Sequence, residues 1–248
     1  MFHTLKQCRL AEQPMECRKT FTLISGGGTN LRGATVTGQQ EVIADIKGNL
    51  NVESLQDISQ FDNKQIGGSA SVMIGYGSAS ASGSASGSYD KTHNDYAAVS
   101  EQSGIFAGKD GFDIKVKNNT DLTGAVIVSS SDSNKLSTGT LTQKDISNHA
   151  ETDAISLGGG LDFSSSGKEQ TSQTKGADQS NVSASAPSVM GAQESDSSST
   201  KSAISKGQIT LTDDAKQKEL TGQTAAETIA SLNHDTDGAQ QKLANHFD

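Results

Sequence analysis

GIFAGKDGFDIKVKNNTDLTGAVIVSS, residues 104–130, is the stretch from which the fold can be argued. Its run FDIKV (112–116) alternates apolar and polar side chains, which places the three apolar ones on one face of a β-strand. The polar run KNNTD (117–121) is typical of a turn, and a second apolar stretch follows it at 122–128. The segment therefore predicts two short strands joined by a tight polar corner.

This pattern recurs elsewhere in the chain. The motif T-[ND]-L-x-G-A-x-[VI] occurs at 29–36 and at 120–127, an offset of 91 residues. The same offset pairs Leu55 with Ile146, Asp62 with Asp153, and Gly67-Gly68 with Gly158-Gly159, and a finer step of 19 residues separates Leu31 from Leu50 and Leu122 from Leu141. Repeats of about 20 residues built from short strands and polar corners are typical of a solenoid. We therefore predict an all-β protein, a right-handed parallel β-helix in which these four leucines stack in the core.

Shifts in composition divide the chain into segments. We predict a non-repeat leader at 1–20, β-helix repeats at 21–163 with excursions near 66–99 and 155–163, a Ser-rich flexible segment at 164–202, a last β coil at 203–211 and short helices at 212–248. Within the first excursion, SASASGSASGS (78–88) contains only Ser, Ala and Gly. It fits either a flexible linker or a β-hairpin arm whose small side chains pack flat on the solenoid.

The C-terminal part changes from a period of two to a helical period. Thr212 can cap a helix over 213–220, and TAAE (224–227) is a capping box that opens a second helix. Residues 235–237 can start a third helix, which would place Ala239, Leu243 and Phe247 on one face. We expect these helices to cover the open end of the β-helix, whose unpaired strand edges would otherwise promote aggregation.

Composition limits the classes of partner and compartment. The 248 residues are 32% hydrophobic and 4% aromatic, too few for a wide globular core, and the formal net charge of −9 without a basic stripe argues against nucleic acid as a partner. No run approaches the ~18 apolar residues of a membrane helix, and the N-terminus lacks a signal peptide, so the chain expressed alone is expected to be cytoplasmic. Cys8 and Cys17 fit two reduced thiols better than a disulfide or a zinc site.

The sequence identifies no catalytic, cofactor-binding or metal-binding residue. Gly104-x-x-x-Gly108-Lys109 is one residue short of a phosphate-binding loop and is interpreted as a β-turn, while 83–87 (GSASG) has Ala where a nucleophile elbow has Ser. Asp235 and Asp237 beside His234 are interpreted as a helix N-cap and not as metal ligands. The remaining polar candidates, Asn118, Asn119 and Asn134, are expected to stack at β-helix corners.

Several longer runs resemble a known family. They are GTNLRGATVTG (28–38), NVESLQDISQFDNKQ (51–65), DYAAVSEQSGIFAGKDGFDIKVKNNTDLTGAVI (95–127), LSTGTLTQKDISNHAE (136–151) and KGQITLTDDAKQKELTGQTAAETIASLNHDTDGA (206–239). Together they are similar to haemagglutinin-repeat exoproteins, the filamentous haemagglutinin and contact-dependent growth inhibition family exported by two-partner secretion. The resemblance covers residues 22–248 and corresponds to the C-terminal haemagglutinin-repeat region upstream of the pretoxin domain.

The resemblance implies a structural role. In that family the region is a β-helical filament at the cell surface, with neighbouring repeat regions and a C-terminal toxin as partners, and it is implicated in carrying the toxin across the target cell's outer membrane. The signal peptide, secretion domain, receptor-binding region, pretoxin motif and toxin of the family have no counterpart here, so a fragment is expected. The function predicted is a non-enzymatic segment of a toxin-delivery filament. The alternatives are an adhesin module that binds cells directly and a gene fragment without function.

Overall fold

The structure is a computed structural model that describes Cys8–Arg9, Met15–Cys17 and residues 19–75, 80–166 and 179–245, with side chains described from residue 19 onward except at 166 and 179. These residues form mostly β-strands with two short helices, so the prediction of an all-β protein is confirmed. The strands are β1 Cys8–Arg9, β2 Met15–Cys17, β3 Thr20–Ser25, β4 Thr29–Arg32, β5 Thr35–Gly38, β6 Glu41–Ile46, β7 Leu50–Glu53, β8 Asp57–Gly75, β9 Ser80–Ala98, β10 Gly104–Ala107, β11 Gly111–Thr123, β12 Val126–Ser129, β13 Lys135–Lys144, β14 Ile146–Ser166, β15 Gln179–Thr200, β16 Ala203–Ile204 and β17 Gln208–Leu211, and the helices are α1 Asp214–Thr221 and α2 Ala225–Ala230.

The chain divides into two compact units. The first, which we call the ladder unit, comprises Met1–Ile58, Ala97–His149 and Ser197–Ala244, and the second, the arm unit, comprises Ser59–Tyr96, Ala150–Asp196 and Asn245–Asp248. The ladder unit contains two sheets of short, mainly parallel strands, in the orders β1-β2-β5-β10-β12-β16 and β17-β13-β11-β6-β3, with β4 and β7 paired beside β11. The arm unit contains most of one sheet of four long strands, in the order β15-β14-β9-β8.

In the ladder unit, strand register places like side chains in columns. Parallel pairing aligns Val36 of β5 with Ile105 of β10, which is aligned in turn with Ile127 of β12 and Ile204 of β16. All four side chains are at most 1% exposed. Because neighbouring strands lie only about 4.8 Å apart, each such column excludes water along its length. Burial of these columns stabilises the ladder unit.

The four leucines expected to stack are buried, but they do not lie in one column. Leu31 is aligned with Val52, and Val52 with Leu122, whereas Leu50 and Leu141 both flank Thr120 in a neighbouring column. The predicted step of 19 residues is therefore wrong, since the register from Leu31 to Val52 is 21 residues. Equivalent apolar residues two positions apart in each strand had produced the shorter spacing. The 91-residue offset consists of this step of 21 followed by one of 70, from Val52 to Leu122.

Two glycines show how closely the 91-residue repeat is reproduced. Gly33 has φ +57° and Gly124, 91 residues later, has φ +55°. A Cβ atom on Gly33 would lie 2.8 Å from Leu55 Cδ1, and one on Gly124 would lie 2.6 Å from Ile146 Cδ1. Both positions require a positive φ and leave no room for a side chain, which only glycine satisfies.

Part of the predicted leader belongs to the ladder unit. Residues Met15–Cys17 pair in parallel with β5, and β3 already begins at Thr20. The boundary at residue 20 is therefore wrong for these residues, because backbone pairing does not depend on the composition that suggested the boundary. Cys8 and Cys17 are opposite each other in the antiparallel register of β1 and β2, and their side chains lie outside the described residues.

The arm unit is an antiparallel sheet. Side-chain contacts match Asp62 with His93, Ser69 with Ser86, and Ser71 with Ser84, so residue numbers rise along β8 as they fall along β9. The second excursion continues into β14 and β15. The expectation of a flexible segment over 164–202 is thus wrong for 179–200, because backbone pairing with β14 orders a stretch that has few aliphatic side chains, while 167–178 lie outside the described residues.

The helices pack on the last strands of the ladder unit. The buried Gln217 of α1 accepts a hydrogen bond from Leu141 N (2.8 Å) and donates one to Leu141 O (2.9 Å), which replaces the partners that a further strand would supply. Thr224 and Glu227 form the expected capping box at the start of α2. The third predicted helix is wrong for residues 235–245, where Gln240 instead forms an antiparallel bridge with Thr200; Phe247 lies outside the described residues.

Candidate interaction surface

The motif compared with a phosphate-binding loop is a strand followed by a β-turn. Gly104 to Ala107 is strand β10, and Gly111 N donates to Gly108 O at 3.1 Å across the turn that follows. The β-turn interpretation is confirmed by this i to i+3 hydrogen bond. Residues 83–87 lie within β9, so they have no strand-to-helix turn on which a nucleophile could sit.

The cluster at His234 is held by local hydrogen bonds. His234 Nδ1 lies 2.7 Å from Ile204 O, to which it donates, and Asp235 Oδ1 accepts from Gly238 N at 2.9 Å. Asp235 therefore closes a turn and does not cap a helix. Among the residues that the structure describes, no group of three or more His, Cys, Asp or Glu side chains is arranged to hold a metal ion.

The asparagines singled out in the sequence bridge successive strands. Asn119 Nδ2 donates to Thr142 Oγ1 (3.0 Å), and Asn134 Nδ2 donates to Lys206 O (2.7 Å). Their partners are threonine hydroxyls and backbone carbonyls and not other asparagines. An asparagine pair does occur one strand earlier, where Asn51 Nδ2 donates to Asn30 Oδ1 at 2.7 Å. These contacts are part of the scaffold.

One face of the arm sheet, which we call the serine face, carries mainly hydroxyl groups and glycines. Ser69 and Ser86 are joined by a 2.8 Å hydrogen bond, as are Ser71 and Ser84. Across β9, a Cβ atom on Gly160 would lie 3.6 Å from Ser86 Cβ, which places Gly160 on this face. The small side chains leave a shallow open depression of about 550 Å³, lined by Gly and Ser of all four strands with one Ala.

The opposite face, which we call the apolar face, carries large aliphatic side chains and one phenylalanine. Successive side chains of a strand alternate between faces, so residues next to those of the serine face point the other way. The apolar face contains Ile66, Val72 and Ile74 on β8, Ile155, Leu157, Leu161 and Phe163 on β14, and Val189 on β15. Their exposed fractions lie between 39% for Leu157 and 77% for Ile74. A sheet face of this composition is normally buried, and here nothing in the chain covers it.

Charged groups lie in one half of the arm unit. His93 Nδ1 is 2.6 Å from Asp62 Oδ1, and the hydrogen bond to Asp62 is the main cause that raises the pKa of His93. The charges of Asp62, Asp95 and Asp153 raise this pKa further, against a small desolvation effect. Asp62 and Asp153 are 91 residues apart and flank His93 from β8 and β14, so the sequence repeat becomes a row across the sheet.

The other half of the arm unit contains almost no charge. Residues 65–75 of β8, 80–89 of β9, 154–161 of β14 and 180–193 of β15 contain no Asp, Glu, Lys or Arg. Asp162 follows the third of these stretches, and by alternation it points to the serine face. Lys64 marks the edge of the uncharged region, with Nζ 5.6 Å from the centre of the Tyr89 ring.

The analysis of the sequence did not identify the apolar face. It recognised the Ser/Ala/Gly run as small and flat, but it did not combine β8 and β14. The signal was present in the spacing of apolar residues by two or four positions, as in Leu157, Leu161 and Phe163. Only the strand order shows that these residues and those of β8 share one face across β9.

Comparison with known proteins agrees with this architecture of repeats. The sequence profile described as Hemagglutinin repeat matches residues 15–68 and 59–131. The chain belongs to the haemagglutinin-repeat family. The matched span begins at residue 15, which also moves the leader boundary from residue 20. No solved structure matches the chain.

The relatives of this haemagglutinin-repeat chain are CdiA proteins. It is 39% identical over 243 residues to the Escherichia coli protein named Toxin CdiA, covering 96% of this chain and 7% of that relative. It is 36% identical, with the same coverage, to the Deoxyribonuclease CdiA of Dickeya dadantii (strain 3937). It is 34% identical to the Deoxyribonuclease CdiA of Yersinia pseudotuberculosis serotype O:3, covering 92% of this chain and 20% of that relative. The chain thus corresponds to a small part of most of these proteins. Neither helix described in the structure is long and apolar enough to cross a membrane.

Proposed function

We propose that the ladder unit is a right-handed parallel β-helix and that the chain is a structural segment of a secreted, cell-surface filament that delivers a toxin on contact. The observation that carries this proposal is the column Val36, Ile105, Ile127 and Ile204, in which four strands distant in sequence stack in parallel with their side chains in register. Such stacking extends in one dimension, as a filament requires.

The interior of the ladder unit suits a mechanical role. Apolar columns fill the space between its sheets, and side chains such as those of Phe112, Ile114 and Leu122 are at most 1% exposed. The polar side chains within it, including Thr120 and Thr138, bond to each other at 2.9 Å. A packed interior of this kind resists deformation and offers no cleft in which a reaction could be catalysed. We therefore assign the chain no enzymatic activity of its own.

The place of the segment in a larger protein follows from its relatives. The CdiA proteins that match are named toxin or nuclease, and they are far longer than this chain. We propose that the segment lies just before the pretoxin region, with other repeat regions and a C-terminal toxin as its neighbours. In that position it would act outside the producing cell, at the outer membrane of the target cell.

A segment exchange tests the proposal. This chain would replace the matched 243-residue segment of the E. coli Toxin CdiA, and inhibition of target cells in co-culture would be measured. We expect the chimaera to inhibit growth, and the same chimaera carrying Ile114→Asp, a charge in a column with 0% exposure, to fail. The matched control is Ile43→Asp, whose side chain is 37% exposed on the neighbouring strand.

The outcome separates the proposal from its alternatives. A chimaera that reaches the cell surface intact and does not inhibit would overturn the delivery role. If that chimaera, or the purified chain, still bound target cells, the adhesin alternative would be favoured. Surface display and binding are therefore measured by flow cytometry in the same cultures.

A further inference from the structure

The apolar face of the arm unit is larger than the patches that soluble monomers normally expose. Applying the exposed fractions to its eight large side chains gives on the order of 900 Å² of apolar surface. Typical monomers expose contiguous apolar patches of roughly 300–600 Å² at most, and a standard protein interface buries about 800 Å² per partner. The face therefore has the area of a stable interface.

The face also has relief that suits a second sheet. Ile66, Val72 and Ile74 form a ridge along β8, and Leu157, Leu161 and Phe163 form another along β14. Between them, β9 presents only small residues on this face, Ala81, Gly83, Ala85 and Gly87, which form a furrow. The Phe163 ring leans over Gly83 and leaves the furrow open beside Ala85 and Gly87. A ridge beside a furrow on one face is self-complementary, since a two-fold axis places each ridge in the other copy's furrow.

Charge and strand edges decide which occupant fits. The uncharged stretches of the four strands form this region, so association would bury no unpaired ion, while Asp62, Lys64 and Lys91 remain at its rim. Lipid is a poorer occupant. In the described sheet β8 and β15 are edge strands, and open edges are not tolerated in hydrocarbon because their backbone N–H and C=O groups lack partners. In a sheet-on-sheet complex these edges stay in water.

We propose that the apolar face of the arm unit is a self-association surface, on which a second copy of this chain packs sheet against sheet with the ridges of each copy in the furrow of the other. Facing sheets pack about 10 Å apart with interdigitated side chains, a distance that the ridge residues can fill. The proposal goes beyond the delivery role and is independent of it.

The test is the mass of the purified full-length chain in solution. Sedimentation equilibrium or light scattering should give a mass that rises with concentration from 25.7 kDa towards twice that value. Val72→Asp places a charge on the ridge of an edge strand and should weaken association at least about tenfold. Met73→Asp is the matched control, because Met73 is the next residue, is 74% exposed against 67% for Val72, and lies on the serine face. Circular dichroism of both variants checks that the fold is retained.

A second pair of variants separates packing in register from non-specific adhesion. Ala85→Phe fills the furrow and should weaken association, although it makes the face more apolar. Ser84→Phe adds the same side chain to the serine face and should leave association through the apolar face unchanged. Stronger association of Ala85→Phe than of the native chain would overturn the ridge-and-furrow arrangement.

Three further results would overturn the proposal. A native chain that stays monomeric at about 100 µM, where even a weak specific dimer would be populated, has no such interface. Equal effects of Val72→Asp and Met73→Asp would show that the apolar face is not the contact. A monomer that binds phosphatidylcholine vesicles, and loses that binding in Val72→Asp but not in Met73→Asp, would assign the face to lipid.

Discussion

The ladder unit and the arm unit use the same 91-residue repeat in opposite ways. In the ladder unit the offset spans two parallel steps, and equivalent residues such as Leu31 and Leu122 share one buried column. In the arm unit it spans an intervening antiparallel strand, and equivalent residues such as Asp62 and Asp153 lie on either side of His93. The ladder unit has a second sheet to cover its apolar side chains, whereas the arm unit leaves them exposed. A repeat thus fixes which residues align, and the presence of an opposing sheet decides whether they are buried.

This difference implies unequal sensitivity to mutation. Buried columns contribute by hydrophobic burial and close packing, so that changes there remove both terms. The arm sheet is joined largely by exposed pairs such as Ser69 with Ser86, each of which competes with water. We expect side-chain changes in the ladder unit to alter the free energy of unfolding strongly and those in the arm unit to alter it little. Four comparisons test this expectation.

The largest effect is expected from a charge in a buried column. Ile114→Asp at 0% exposure should destabilise the ladder unit by at least about 4 kcal/mol, because it buries an unpaired carboxylate and removes packing contacts. Ile43→Asp, in the neighbouring strand but 37% exposed, should cost less than about 1.5 kcal/mol. Urea denaturation followed by circular dichroism measures both. Similar losses in the two variants would contradict the columnar core.

The end of the ladder unit should be the next most sensitive position. Gln217→Leu keeps the volume of the side chain but leaves both Leu141 N and Leu141 O without their partners, and we expect a loss of roughly 2–4 kcal/mol. Gln208→Leu, at an exposed position of β17, serves as the control and should change stability by less than about 0.5 kcal/mol. If both variants unfold at the same urea concentration, the Gln217 amide does not substitute for a strand.

A smaller effect is expected where the repeat demands glycine. Gly124→Ala should cost about 1–2 kcal/mol, since φ is +55° and the new Cβ would lie 2.6 Å from Ile146 Cδ1. Its counterpart Gly33→Ala should behave alike, because the geometry at Leu55 is the same. Gly26→Ala has no atom within 4 Å and should be nearly neutral. Thermal unfolding would show whether the two halves of the repeat are energetically equivalent.

The sequence predicted those parts of the fold that depend on local periodicity. Alternation in FDIKV identified β11, and the T-x-x-E motif identified the start of α2, because each involves residues close in the chain. The step between coils was wrong by two residues, since a leucine two positions away in the same strand occupies an equivalent environment. The segment 179–200 was expected to be flexible because it has few aliphatic side chains, yet its order comes from backbone pairing with β14, which depends on no side-chain type.

The candidate interaction surface was beyond reach for a related reason. Its ridges come from β8 and β14, which are distant in sequence and separated in space by β9. Each strand alone carries too few apolar residues to identify a face, and only their combination across the sheet makes a continuous patch. The sequence did contain the key constraint, the alignment of Gly67-Gly68 with Gly158-Gly159, but it did not indicate that the aligned strands would be two apart.

The smallest effect is expected at the charged row of the arm unit. The hydrogen bond from His93 to Asp62 favours protonated His93, which raises the pKa of His93 above its ordinary value of 6.5. The contribution of this pair to stability is therefore fully present below pH 6.5 and is lost as the pH rises through the raised pKa of His93. Because the pair is exposed, we expect local opening of β8 and β9 to increase over that window without a change in unfolding of the ladder unit.

Titration of His93 by NMR provides the measurement, with hydrogen exchange of β8 amides as the second readout. Asp62→Asn should lower the pKa of His93 most, since it removes both the hydrogen bond and the nearest charge, and Asp153→Asn should lower it less because that carboxylate acts only through its charge. Asp90→Asn, on the serine face, where Asp90 accepts a hydrogen bond from Ser156, should have little effect. A pKa of His93 that is unchanged by Asp62→Asn would mean that the row is not formed in solution. The repeat would then align residues in the ladder unit but not in the arm unit.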